Sequence, residues 1–291
     1  MRMELEIDSF ELKDIFECGQ CFRWNKEENG SYTGVTTKCV INVEKTKSKI
    51  VFDAKPFSKI SDEDIKNHII HYFDLDRDYS KLRKKIANVD DNLKVATKYG
   101  KGIRILNQEL WETIISFIIS ANNNIPRIKG IIERMAEKYG KKISFNGKTY
   151  YSFPTPKELS KATVEDLRKL GLGFRDKRIY ETTKLIASGE VDLKKLYKLN
   201  TTDARDKLLE LQGVGPKVAD CILLFSDLKR FDVFPIDVWV RRVMNELYIK
   251  MEDETKVNKN DVLKLAKEKY GNLAGLAQQY LFYWKREAWN I

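Results

Sequence analysis

The sequence predicts an α+β protein in two parts, a small antiparallel sheet domain over residues 1–90 and a larger all-helical body over 91–291. Three observations carry this prediction. Short extended runs alternate with turn-forming residues in the first 60 positions. The apolar spacing then changes to a helical period. A glycine hairpin at 213–215 separates two helical runs. A length of 291 residues is itself what about two domains need.

Phe22–Trp24, Tyr32–Val35, Cys39–Val43 and Lys49–Phe52 are rich in aromatic and β-branched residues, and Glu28–Ser31 and Lys45–Ser48 between them are turn-like. Short strands so closely spaced favour antiparallel pairing. Farther on, Leu110, Ile114, Phe117 and Ile118 repeat at i, i+4, i+7 and i+8, one buried helix face, with Asn107 placed to cap it. Pro126 opens a helix that ends near Gly140. The stretch 141–156, with Pro154 and Pro156, reads as a connecting loop. Helices follow over 163–170, 177–186, 202–211, 217–225, 238–248, 261–270 and 273–284, so that residues 202–225 form a helix-hairpin-helix.

Lys and Arg number 53 against 43 Asp and Glu, a net charge of +10 that suits a polyanionic partner. No apolar stretch approaches the roughly 20 residues of a membrane span. The opening MRMELEIDSF is too acidic and too poor in apolar residues for a secretory signal, so a cytoplasmic location is expected, nucleoid-associated in a bacterium or archaeon. Cys18, Cys21 and Cys39 have part of a zinc spacing but no fourth ligand nearby. His68 and His71 lie three apart with nothing to complete a site. No metal site built from side chains and no cofactor is expected.

The chemistry concentrates between Leu211 and Val240. Gly213-Val214-Gly215 suits a turn that needs positive φ or presses its backbone against something, and its N–H groups would form a small anion nest. Lys217 would stand in the first turn of the next helix, where the macrodipole disfavours positive charge and favours the nucleophilic neutral amine. Asp237 follows twenty residues later, behind Pro235. Gly-x-Gly-x-Lys alone is also an ordinary turn followed by a solvated lysine, and Asp237 alone is also a helix N-cap.

That segment, together with CGQCFRW at 18–24, SANNNIPRI at 120–128, GLGFR at 171–175 and AQQYLF at 277–282, resembles the helix-hairpin-helix, Gly/Pro-Asp superfamily of DNA glycosylases. Within it the match is to 8-oxoguanine DNA glycosylase/AP lyases of the eukaryotic type. The resemblance implies a TBP-like sheet domain before the helical body, and a monomer acting on double-stranded DNA that contains oxidised guanine. Lys217 is implied as the nucleophile and Asp237 as the carboxylate that stabilises the sugar cation. Gly19, Cys221, Gln278 and Phe282 form the base pocket: the Gly19 carbonyl meets N7, Gln278 reads the Watson–Crick edge, and Phe282 and Cys221 cover the two faces. Asn122, Arg127, Phe174 and Arg175 fill the gap and read the orphaned cytosine. Gly213 and Gly215 hold phosphate, and the carbonyls of Leu211 and Val214 match those that bind a monovalent cation. Two positions depart from the animal enzymes, which carry a tyrosine at Phe174 and a histidine at Trp239. The endonuclease III branch carries a cluster of four cysteines after the aspartate, and this chain does not. Two other readings share parts of the pattern. An alkylated-base glycosylase needs no lysine, and a passive helix-hairpin-helix clamp needs none of Lys217, Asp237, Gly19 and Gln278.

Overall fold

The computed structural model describes residues 1–289. The chain starts with β1 (Arg2–Leu5), α1 (Leu12–Phe16), β2 (Trp24–Lys26), β3 (Tyr32–Val35), β4 (Cys39–Lys45) and β5 (Ile50–Pro56). The five strands pair antiparallel in the order β1-β5-β4-β3-β2. Neither β1 nor α1 was expected. β1 is an edge strand whose Met3 faces Phe52, too short to show an alternation. The run expected at Phe22–Trp24 begins as a strand only at Trp24, because residues 17–23 form a loop tied down by side chains. On one face Ile41, Val43, Phe52 and Ala54 pack with Ile65, Ile69 and Phe73, and Phe16 stacks on Trp24 with ring centroids 4.1 Å apart.

Next come α2 (Asp62–Tyr72), α3 (Tyr79–Ala87), α4 (Asp91–Tyr99), α5 (Leu110–Ser120) and α6 (Ile125–Tyr139). Asn107 is not the cap of α5. Glu109 is, its carboxylate accepting the Glu112 N–H at 2.8 Å. Asn107 instead donates to the His71 carbonyl at 2.7 Å and so ties the end of α2 to the body. The stretch 141–156 is not a plain loop either, for it carries the hairpin β6 (Lys142–Phe145) and β7 (Lys148–Tyr151). Asn146-Gly147 at its tip, both at positive φ, is the strongest short hairpin signal a sequence offers. Phe145, Ile143 and Tyr150 pack on Val35 and Val40, covering the second face of the sheet.

The remaining helices are α7 (Pro156–Leu159), α8 (Val164–Lys169), α9 (Asp176–Ser188), α10 (Thr201–Leu209), α11 (Pro216–Phe225), α12 (Val238–Met244), α13 (Lys259–Tyr270) and α14 (Ala274–Ala288). The helix expected over 238–248 is α for seven residues and then a π turn, Asn245–Ile249. α5, α11 and α14 are apolar over most of their surface and form the centre of the helical core. No helix among the described residues is long and apolar enough to cross a membrane.

Candidate active site

α10 and α11 are the two arms of the helix-hairpin-helix, joined by an Arg205–Asp220 ion pair at 2.8 Å. Burial pushes the Asp220 carboxyl up to about 6, with Arg205 opposing it. The two hairpin glycines have different reasons to exist. Gly213 sits at φ +88, and a Cβ there would come within 3.0 Å of Ile118 and 3.1 Å of Arg178, so the fold itself demands glycine. Gly215, at φ −96, caps α11 with open space where a Cβ would be. Glycine suits that capping position, and the open space leaves the backbone there accessible from outside. The Leu211 carbonyl accepts the Val214 N–H at 3.1 Å and keeps a second lone pair. A carbonyl pair with Val214 is chemically suited to a monovalent cation.

Pro216 opens α11 at its first position, which puts Lys217 in the first turn and Cys221 one turn later. Asp237 caps α12, accepting the Val240 N–H at 2.8 Å, so the capping role is real and sets where the carboxylate lies. Lys217, Cys221 and Asp237 line one cleft of about 960 Å³. Lys217 Nζ lies 5.8 Å from the centre of the Phe117 ring, which stacks on Phe225. The amine is not shifted toward neutrality as the helix start alone suggests. Charge on the Cys221 sulfur is the largest cause holding Lys217 above the ordinary lysine value, burial pulls down, and the Asp237 carboxylate adds to the rise. Burial in turn pushes the Cys221 thiol up to about 11. In the free protein Lys217 therefore carries its proton at pH 7.

The far wall of the same cleft comes from both ends of the chain. Gly19, Gln278 and Phe282 line it, with Cys18, Phe22, Gln279 and Arg286. Gly19 is at φ +87, where a side chain strains the backbone, and its missing Cβ would lie 3.8 Å from Phe282 and 3.5 Å from Arg286. Gln278 and Phe282, four apart on α14, share a face. Gln278 is 5% exposed, and its Oε1 is buried without a hydrogen-bond partner among the described residues. An orphaned acceptor in a cleft asks for a donor from a ligand.

SANNNIPRI divides its labour. Asn122 stands in the left-handed region at φ +51, Asn123 donates to the Ile119 carbonyl at 3.1 Å, and Asn124 caps α6 by accepting the Arg127 N–H at 3.0 Å. Asn122 faces the cleft, whereas Arg127, Phe174 and Arg175 form a cluster outside it. Arg127 donates to the Gly171 carbonyl at 3.2 Å. Phe174 is 56% exposed, its ring 4.2 Å from the Arg175 guanidinium and 5.2 Å from that of Arg178. Arg175, expected to face an orphaned base, is buried and bonded to the carbonyls of Ala121 at 2.9 Å, Asn122 at 2.8 Å and Leu172 at 3.3 Å. Here it anchors the Asn122 loop.

The sequence pattern missed the groups that hold the reading wall. Gln20 is fully buried, donating to the carbonyls of Ile15 at 2.8 Å and Arg104 at 2.7 Å. Gln108 bridges the carbonyls of Gln20 and Phe225, and Gln279 donates to that of Cys18. Paired glutamines within an apolar helix were the available signal, since a buried amide must find partners. Trp239 lies at the cleft edge, with the Arg242 guanidinium 4.8 Å from its ring. Cys18, Cys21 and Cys39 are free and buried, and burial raises all three thiols. His68 contacts Thr36 Oγ1 at 2.8 Å, and burial pushes it down to about 4, helped by Lys38 and His71. Among the described residues no group of three or more His, Cys, Asp or Glu is placed to hold a metal ion.

Comparison with known proteins identifies the family. Residues 2–114 match the N-terminal domain of 8-oxoguanine DNA glycosylase, and residues 115–269 match the HhH-GPD superfamily base excision DNA repair protein. A probable N-glycosylase/DNA lyase of Methanothermobacter thermautotrophicus is 30% identical over 96% of this chain and 95% of its own length. The N-glycosylase/DNA lyase of Saccharomyces cerevisiae is 33% identical over 90% of this chain and 73% of its own. The Clostridium acetobutylicum 8-oxoguanine glycosylase/lyase, solved with double-stranded DNA containing cytosine opposite 8-oxoG, superposes with a TM-score of 0.90 at 42% identity, covering 100% of this chain and 99% of that one. The chain therefore belongs to the HhH-GPD superfamily of base excision DNA repair proteins, with the N-terminal domain of 8-oxoguanine DNA glycosylases ahead of it.

Proposed function

We propose that this protein extrudes 8-oxoguanine from duplex DNA, removes it through a Schiff base on Lys217, and nicks the strand by β-elimination. One observation carries the assignment: a single cleft joins Lys217 and Asp237 to Gly19, Phe282 and the unpartnered Oε1 of Gln278. A base in a duplex cannot reach such a cleft without leaving the stack, at a cost of roughly a few kcal/mol. The net charge of +10 supports the polyanionic partner.

Lys217 must first lose its proton, and the Asp237 carboxylate is the charged group beside it. The amine then forms a bond to C1′ as the glycosidic bond breaks and the base leaves with the electron pair. Asp237 offsets the positive charge that develops on the sugar. Opening of the sugar ring gives an iminium, which acidifies the C2′ proton, and its removal expels the 3′ phosphate. A monovalent cation on the Leu211 and Val214 carbonyls would add positive charge under the hairpin that meets the phosphate.

8-Oxoguanine and guanine differ at N7, a donor in the first and an acceptor in the second, so one fixed carbonyl at Gly19 bonds the lesion and repels guanine. Gly213 and Gly215 hold the backbone, and Asn122 with Arg127 and Phe174 faces the opposite strand. We assign a monomer to this action. Borohydride trapping on a duplex with 8-oxoguanine opposite each of the four bases tests the assignment. A covalent adduct that disappears in Lys217→Gln is expected. An adduct retained in that variant, or 8-oxoguanine left untouched by the wild type, would overturn it.

A further inference from the structure

Gly19 is a reading group only if its carbonyl cannot turn away. At φ +87 a glycine backbone has little intrinsic resistance to rotation of the peptides beside it. The structure supplies that resistance from outside. On one side the Cys18 carbonyl accepts Gln279 Nε2 at 2.7 Å, a buried bond spanning 261 residues of sequence. On the other the Gln20 carbonyl accepts Gln108 Nε2 at 2.7 Å, and the Gln20 side chain is itself locked, with Oε1 accepting the Leu106 N–H at 2.8 Å. Between these pinned peptides, no donor among the described residues reaches the Gly19 carbonyl. Arg286, two turns beyond Gln279 on α14, donates to the Glu17 carbonyl and extends the clamp by one more residue.

Gln279 is 2% exposed and adjoins Gln278. Its bond therefore sets the position of the Gly19 loop relative to the helix that carries the second reading group. We propose that Gln279 is a positioning residue for base selection, holding the Gly19 carbonyl at a fixed place opposite N7 and at a fixed separation from Gln278. The inference rests on the assignment of that carbonyl to N7. A carbonyl free to rotate would both lose its bond to the lesion and cease to repel guanine, so selectivity, rather than the lysine chemistry, is what the clamp protects.

Two activities of the full chain separate these. Nicking at a preformed abasic site uses Lys217 but reads no base, whereas excision of 8-oxoguanine uses both. Gln279→Met keeps the volume and removes the donor. Its single-turnover excision of 8-oxoguanine is expected to fall by on the order of tenfold to a hundredfold, the loss typical of a buried hydrogen bond. Abasic-site nicking should fall at least tenfold less. Gln279→Asn, which keeps the amide but falls one methylene short, should lose excision in the same sense by a smaller factor. Equal loss of both activities in both variants, or wild-type excision in Gln279→Met, would overturn the proposal and leave the functional assignment standing. A wild type that nicks abasic sites but ignores 8-oxoguanine would overturn the assignment and the proposal together.

Discussion

Two lysines twelve residues apart occupy opposite circumstances. Lys217 stands in the cleft, half-buried, with Cys221 and Asp237 holding it above the ordinary lysine value. Lys229, 8% exposed, lies beyond the end of α11, where its Nζ donates to the Ile105 carbonyl and faces Asp74 at 3.5 Å. Burial pushes Lys229 down to about 7; Asp74 opposes that shift, and Arg77 and Arg104 add to it. The lysine whose charge burial disfavours most thus lies outside the cleft that holds Lys217. Lys217, the proposed nucleophile, lines an open cleft beside a carboxylate, whereas Lys229 lies outside that cleft and joins α11 to the segment around Asp74 and Ile105.

Four experiments break or sharpen that contrast. The largest effect is expected from removing each amine in turn. Lys217→Gln should reduce borohydride trapping by at least about a thousandfold, and Lys229→Met should retain it to within several-fold; an adduct mapped to Lys229 would reverse the comparison. Second is stability against pH. Lys229 has its folded value lowered to about 7 from 10.5, so between those limits the unfolded chain binds more protons and stability rises as pH rises. Urea unfolding between pH 6.5 and 10.5 should show this gain, on the order of 3 kcal/mol, and Lys229→Met should flatten it. The hairpin glycines come third. Gly213→Ala should destabilise by about 1–3 kcal/mol from backbone strain. Gly215→Ala should unfold within about 0.5 kcal/mol of wild type yet bind duplex DNA more weakly. Smallest is a shift in profile. Trapping on abasic duplex should increase with pH as Lys217 loses its proton, and Cys221→Ala, which removes the largest cause of its raised value, should move that rise to lower pH.

The helical body and the hairpin segment that carries Lys217 and Asp237 were legible because their marks are local. Gly213, Lys217 and Asp237 are set by a turn, a helix start and an N-cap, all local events with local sequence marks. The sheet and the segments held by distant partners were legible only in part. β1 owes its existence to the sheet whose edge it forms, and the separate β6–β7 hairpin to the sheet face it packs on, although Asn146-Gly147 did announce the latter. Asn107 looked like a cap from spacing, yet a tertiary partner at His71 claimed it. Arg175 could be placed by its motif, but its three carbonyl partners belong to segments the motif does not mention. The protonation of Lys217 depended on burial and on groups one turn and twenty residues away, which no helix-dipole argument contains.

The bond from Gln279 to Cys18 also imposes an order of events on the newborn chain. Synthesis proceeds from the N-terminus, and domains made first fold first. The Gly19 loop is thus present early, Lys217 and Asp237 appear much later, and Gln278 and Gln279 arrive after all of them. On the proposed assignment, a growing polypeptide owns its nucleophile before it owns the means to choose a base. Until α14 docks, the Cys18 and Glu17 carbonyls lack the donors that Gln279 and Arg286 bring, so on that assignment discrimination is the last property the molecule acquires.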